Sequence, residues 1–197
     1  TAVNHPTDTI LPLTDEEIDA VTGWGYVQLP RDEIFEARGV TVPLRAGTVL
    51  PAADQFILSI VQNAWGDRPV YFAMTTNSYR NVGFSDYIAR QGLAFKLVTP
   101  EEAEARGMVS IPADHPWRTV TGAYVDVART RDLLWNEFEY GDLLNWRRWP
   151  DDATRGIPSY YAFAHLALSY GEQMLGNDAE VQRNAAKTEQ WLGLAER

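Results

Sequence analysis

The stretch from Ala53 to Thr99 constrains this chain more than any other, because helical and strand signals alternate within it. Phe56, Ile57, Ile60, Val61, Ala64 and Trp65 recur at the three- and four-residue steps of one helical face. Asp54 stands near the start, where a carboxylate meets free amides and the positive end of the helix dipole. Gly66 is placed to end the helix, and Pro69 keeps it from resuming. Pro69 to Met74 is apolar without alternation, the pattern of a strand buried on both faces. Phe84 to Gln91 is expected as a short helix stopped by Gly92. Leu93 to Val98 is expected as the next strand, with Lys96 at an edge. Thr99-Pro100-Glu101-Glu102 has the form of a capping box, in which Thr99 caps, Pro100 opens the helix and Glu102 reaches back. The alternation predicts an α/β fold with a small, mainly parallel sheet and flanking helices.

The rest of the chain extends this unit. Thr1 to Leu13 reads as an extended arm, and Thr14-Asp15-Glu16-Glu17 as a second capping box. Tyr26 to Leu29 is a candidate strand. Phe35 to Ala37 and Val40 to Val42 flank Arg38-Gly39 as a hairpin with a two-residue turn, and Pro43 to Pro51 reads as a loop. Met108 to Thr121 is irregular, and Val127 to Tyr140 is expected as a helix. Pro158 to Leu175 is another, with Tyr161, Ala164, Leu168, Gly171 and Leu175 as its inner stripe. Gly176-Asn177 stops it. Asp178 caps the last helix, whose stripe is expected at Val181, Ala185, Thr188, Leu192 and Ala195. The two form an antiparallel helical pair, like one tetratricopeptide (TPR) unit in its small contact residues. The expected organisation is an α/β domain with arm and hairpin over residues 1–125 and a helical extension packed on it over 126–197.

No catalytic constellation stands out. Cysteine is absent, which excludes disulfides, thiol catalysis and thiolate metal sites. His5, His115 and His165 lack metal-ligand spacing, so no metal is expected, and His165 reads as a packed core or edge histidine. There is no Gly-x-Ser-x-Gly and no Gly-rich phosphate loop, so no cofactor is expected. The best acidic cluster is Trp135, Glu137, Glu139 and Asp142, which either binds sugar through stacked rings and acids or is core aromatics beside solvated carboxylates. A hydrolase built on Glu137 and Glu139 is disfavoured, since residues two apart on a helix do not face each other.

Seven tryptophans weigh more. Trp65 is expected in the core. Trp146-Arg147-Arg148-Trp149 is hard to bury whole, because adjacent arginines rarely go inside unpaired. Trp and Arg are also enriched at binding hot spots. These four residues, with Trp117 and Arg118 of the His115-Pro116-Trp117-Arg118 loop, are the candidate partner interface. Two other readings stay open. The four residues could cap the helical pair, with the arginines meeting Asp151 and Asp152, and Trp117 could pack back on its own domain.

Gly66-Asp-Arg-Pro-Val-Tyr-Phe-Ala73, together with Gly83-Phe-Ser-Asp-Tyr-Ile-Ala-Arg-Gln-Gly-Leu-Ala-Phe-Lys-Leu97, resembles the soluble C-terminal region of a bacterial family of multi-pass membrane proteins of unknown function. That family is similar to GT-C glycosyltransferases and includes protein O-mannosyltransferase-like members. The resemblance runs from about Gly39 to Lys96 and more weakly beyond. It implies an extracytoplasmic, periplasmic location next to a membrane. Its transferase chemistry is expected in a membrane half, so no catalytic residue carries over.

Formal charge is −10, from 17 basic and 27 acidic residues. A nucleic-acid partner and direct attraction to anionic lipid are therefore not expected. The longest charge-free run, Gly156 to Gly171, is too short and polar to span a bilayer. With no initiating Met and no signal peptide, the chain reads as a processed or excised piece of something longer. The expected function is a non-catalytic extracytoplasmic interaction or scaffold protein docking on an integral membrane protein complex. The setting it suggests is a membrane-extrinsic subunit of a photosynthetic reaction-centre and light-harvesting assembly. The alternative is an acceptor- or sugar-recognition domain of a GT-C-like membrane glycosyltransferase.

Overall fold

The computed structural model describes residues 14–16, 18–19, 25–76, 78–146 and 149–196. The arm Thr1 to Leu13 and Glu17 of the second capping box lie outside them. Two compact units emerge from the packing. One comprises the described residues within Thr1–Val70 and Asn77–Phe84, the other those within Tyr71–Thr76 and Ser85–Arg197. The division expected between residues 125 and 126 falls inside the second unit.

In the first unit the strands are β1 (Tyr26–Gln28), β2 (Glu33–Ala37), β3 (Val40–Leu44) and β4 (Val49–Pro51). β1 and β4 pair antiparallel, so the segment expected as a loop ends in a strand. β2 and β3 form the expected hairpin. Arg38 and Gly39 both have positive φ, 38° and 91°, the pattern of a type I′ turn that matches strand twist. Alternation buries Phe35 and Ala37 on β2 and Val40, Val42 and Leu44 on β3. Helix α1 (Ala52–Ala64) follows and adds Val61, with Trp65 buried at its C-terminal cap. A single turn, α2 (Ser78–Asn81), brings in Tyr79, and Phe84 places its ring 5.7 Å from Phe35.

The second unit holds a five-stranded sheet of β5 (Tyr71–Ala73), β6 (Ile88–Gln91), β7 (Ala94–Leu97), β8 (Val109–Ser110) and β9 (Tyr124–Val125), in the order β5-β7-β6-β9-β8. Only β6 and β9 pair parallel; the other neighbours are antiparallel. The class is α/β, but the sheet is mixed and not mainly parallel. The cause is Gly92. It was expected to stop a helix, yet at φ 59° it opens a two-residue turn that folds β7 back on β6. Phe84 to Gln91 is accordingly a 3₁₀ turn (Phe84–Asp86) followed by a central strand with all four residues buried. β5 is an edge strand, shorter than expected and alternating, with Phe72 in and Tyr71 and Ala73 out. Lys96 is not at an edge, because β7 lies between β5 and β6. It is buried, and its ammonium sits 2.6 Å from Glu102. Glu102 therefore faces Lys96 and Arg106 instead of reaching back to its cap. Thr99 does cap α3 (Pro100–Ala105), accepting from the Glu102 amide at 3.1 Å.

Beyond the sheet come α4 (Arg118–Thr121), α5 (Val127–Asp132) and a π turn over Leu133–Glu137, so the helix expected to reach Tyr140 ends by Phe138. A short α6 (Asp152–Arg155) precedes α7 (Ile157–Met174) and α8 (Asp178–Ala195), each of 18 residues. On α7 the expected stripe holds at Ala164, Leu168 and Gly171. A Cβ on Gly171 would lie 2.5 Å from Val127, so glycine lets α7 approach this closely. On α8 the stripe is displaced. Asn184, Trp191 and Leu194 are buried, while Ala185 is exposed and Leu192 is 42% exposed. Among the described residues no helix is long and apolar enough to cross a membrane.

Gly122 links α4 to β9 with φ 78° and ψ −172°, a conformation open almost only to glycine. A Cβ there would meet the Ile88 carbonyl oxygen at 3.0 Å, the same oxygen that accepts from the Ala123 amide. Gly122→Ala is expected to cost about 2–3 kcal/mol, read as a lower urea midpoint at unchanged slope.

Candidate interaction surface

Trp117 stands in a loop that is tied down on both sides. The His115 amide donates to Pro112, the Arg118 amide to His115 and the Thr121 amide to Trp117 itself. The Trp117 amide donates to His115 Nδ1 at 3.2 Å. The Arg118 guanidinium donates to the Ile111 carbonyl and to the Asp86 carboxylate. With a side chain only 17% exposed, Arg118 is a brace for the loop and not an outward cation. Trp117 remains 47% exposed. The His115 ring packs 4.5 Å from Tyr170 of α7. One helical turn beyond Tyr170, Met174 is 56% exposed, and Leu175 beside it is exposed as well. The loop thus offers an exposed indole on a braced backbone, and the end of α7 offers an exposed thioether and leucine.

Trp149, from the other half of the expected interface, points inward. Trp149 is 8% exposed and its indole N–H donates to the Leu194 carbonyl at 3.0 Å. It packs with Ala162, Trp191 and Leu194. Trp146 is half-buried against it, ring centroids 5.3 Å apart. Trp149 is therefore core of the helical pair, which corrects its assignment as a docking residue. Arg147 and Arg148 lie outside the described residues. The structure thus gathers Trp146 and Trp149 around Trp191, and gathers Trp117 with His115 and Arg118 in the loop.

The aromatic and acidic cluster is not brought together as a sugar platform. The Trp135 indole N–H donates to Asn184 Oδ1 at 3.2 Å, its face is covered by Arg183 at 3.6 Å, and its ring meets His165 in a T-shaped contact. Glu137 is held by Arg129, while Glu139 and Asp142 are exposed. Sequence reasoning missed Asn184, which is fully buried. Its Nδ2 donates to the Glu180 carbonyl at 2.8 Å. Its Oδ1 must then be the acceptor for both Trp135 and His165 Nδ1, the latter at 2.9 Å. That fixes the His165 proton on Nδ1. Glu172 was missed too. Its buried carboxylate takes Arg131 Nε on one oxygen and Asn177 Nδ2 on the other, closing the turn between α7 and α8. An i,i+5 pair of Glu and Asn across a helix stop was the only sequence trace of it.

Among the described residues, no group of three or more His, Asp or Glu could hold a metal ion. No protein-family model matches this chain, and neither a curated protein nor a solved structure was found to match it.

Burial pushes His165 down to about 4, against the pull of its Asn184 bond and with help from nearby Lys187 and Arg183. The folded state prefers neutral imidazole, so the unfolded chain binds the proton first as pH falls. The stability tied to neutral His165 is complete above the unfolded value near 6.5 and is lost as pH drops toward 4. The loss is expected to reach about 3 kcal/mol. His165→Gln should flatten this part of the urea stability profile between pH 7 and 4.

Proposed function

We propose that this chain is a non-catalytic, extracytoplasmic interaction domain that docks on an integral membrane protein complex through the Trp117 face of its second unit. The observation that carries the reading is an exposed tryptophan on a braced loop whose His115 ring packs against Tyr170. Such a side chain loses little freedom on binding and offers large apolar area, which is how hot spots work. The resemblance of Gly66 to Ala73 and Gly83 to Leu97 to a membrane-protein family's soluble region supports the location. A net charge of −10 favours a protein contact over an anionic lipid surface. The TPR-like character of α7 and α8 belongs to this reading, since such pairs serve as scaffolds. The setting to test first is a photosynthetic reaction-centre and light-harvesting assembly, with the chain as a membrane-extrinsic subunit. Sugar recognition for a GT-C-like glycosyltransferase has less support, because Trp135 has its face covered and its N–H engaged.

The test is a binding titration of the labelled chain onto complexes gently solubilised from its native membranes. Trp117→Ala combined with Met174→Ala is expected to weaken association about 30-fold or more, whereas Trp146→Ala changes it little. Association that survives the double substitution unchanged overturns the proposed surface.

A further inference from the structure

Among the described residues, the hairpin of the first unit carries an edge whose main-chain groups have no strand partner. Ala37 and Val40 close a two-residue type I′ turn, which makes them a hydrogen-bonded pair. Counting back, Phe35↔Val42 and Glu33↔Leu44 are hydrogen-bonded pairs, and Glu36↔Thr41 and Ile34↔Pro43 are not. Pro43, with no N–H, fits this register. The N–H and C=O groups of Ile34 and Glu36 therefore point away from β3. No further strand pairs with β2 among the described residues, and neither Ile34 nor Glu36 has a main-chain hydrogen bond to them. The outer edge of β3 is blunted by Pro43, but the outer edge of β2 has neither proline nor lysine.

That edge borders a groove of about 390 Å³. Four consecutive residues of β2, Glu33 to Glu36, line it, so the strand presents its edge and not one face. Leu29, Leu44 and Leu50 supply apolar lining, and Leu58 and Gln62 of α1 complete it. The charged lining residues are Glu33 and Glu36, and among the described residues Glu33 has a basic neighbour, Arg31 at 3.8 Å, while Glu36 has no ion pair. Ile34 is largely exposed beside them.

We infer that β2 is the acceptor strand for an extended segment of a partner protein, which adds to its free outer edge with side chains reaching the groove. The segment carries alternating apolar side chains for the leucine lining and a Lys or Arg for Glu36. Main-chain bonding to Ile34 and Glu36 supplies the affinity, and the groove selects the side chains. Five residues of β2 give about 16 Å of edge, enough for a short strand. A second copy pairing through its own β2 is opposed by the like charges it would bring together. The inference is independent of the Trp117 face and stands whatever happens there.

The probe is a phage-displayed library of random heptapeptides, selected on the intact chain. Enriched peptides are expected to alternate apolar residues and to carry Lys or Arg. A selected peptide, synthesised and labelled, should bind tenfold or more weakly to Glu36→Arg and to Ile34→Pro. The proline removes an outward N–H and no β2–β3 bond. The same loss is expected when alternate amides of the peptide are N-methylated. Absence of enrichment, acidic peptides, binding indifferent to Glu36→Arg and to N-methylation, or a dimer abolished by Ile34→Pro would each overturn the proposal.

Discussion

One buried amide holds the helical part of the molecule in register. Asn184 of α8 bonds to its own helix through Nδ2 and, through Oδ1, to His165 on α7 and Trp135 in the π turn. Three elements meet at one polar atom of a fully buried side chain. A buried network of this kind specifies an arrangement because any shift of register leaves it unsatisfied. It also explains why the π turn exists. The wider turn over Leu133–Glu137 ends the helix with Trp135 at Asn184 and sends Tyr140 to lie edge-on to Trp191 and Tyr161. Trp191 stacks on Tyr161 at 4.6 Å and is fully buried. Glu172, with Arg131 and Asn177, secures the same helix pair at its turn.

This network sorts the tryptophans of the second unit by role. Trp135, Trp149 and Trp191 each have their ring or N–H engaged inside the helical pair, and Trp146 leans on Trp149. Trp117 is set on a loop whose stiffness comes from Arg118 and is left outside. The first unit follows a different logic. Its hairpin is fixed by turn chemistry at Arg38-Gly39, and proline guards only one of the two strand edges.

Features with local causes were legible in the sequence. The type I′ hairpin at Arg38-Gly39, the end of α1 at Gly66 and the Thr99 cap each depend on a few neighbouring residues. Errors arose where a residue has two local uses and a distant contact decides. Gly92 can stop a helix or open a hairpin, and pairing of β6 with both β7 and β9 selects the hairpin. Lys96 looked like an edge residue because its partner Glu102 comes from the following helix. On α8 an apolar count put the stripe at Ala185 and Leu192, one residue from Asn184 and Trp191. An apolar count passes over the polar Asn184, although its three bonds make it the centre of the interface. Trp149 stayed open between docking and capping the helical pair because arginines precede it, and its indole finds the Leu194 carbonyl across that pair.

The central claim is that the outward face of the second unit is the Trp117 loop with the end of α7. Hydrogen exchange of the chain, free and bound to its solubilised membrane complex, tests it most directly. The account predicts slowed amide exchange over residues 112–121 and 170–175, with the already buried Trp149 and Trp191 region unchanged. Protection confined to residues 140–149 and α8, or none at all in the bound state, would contradict it.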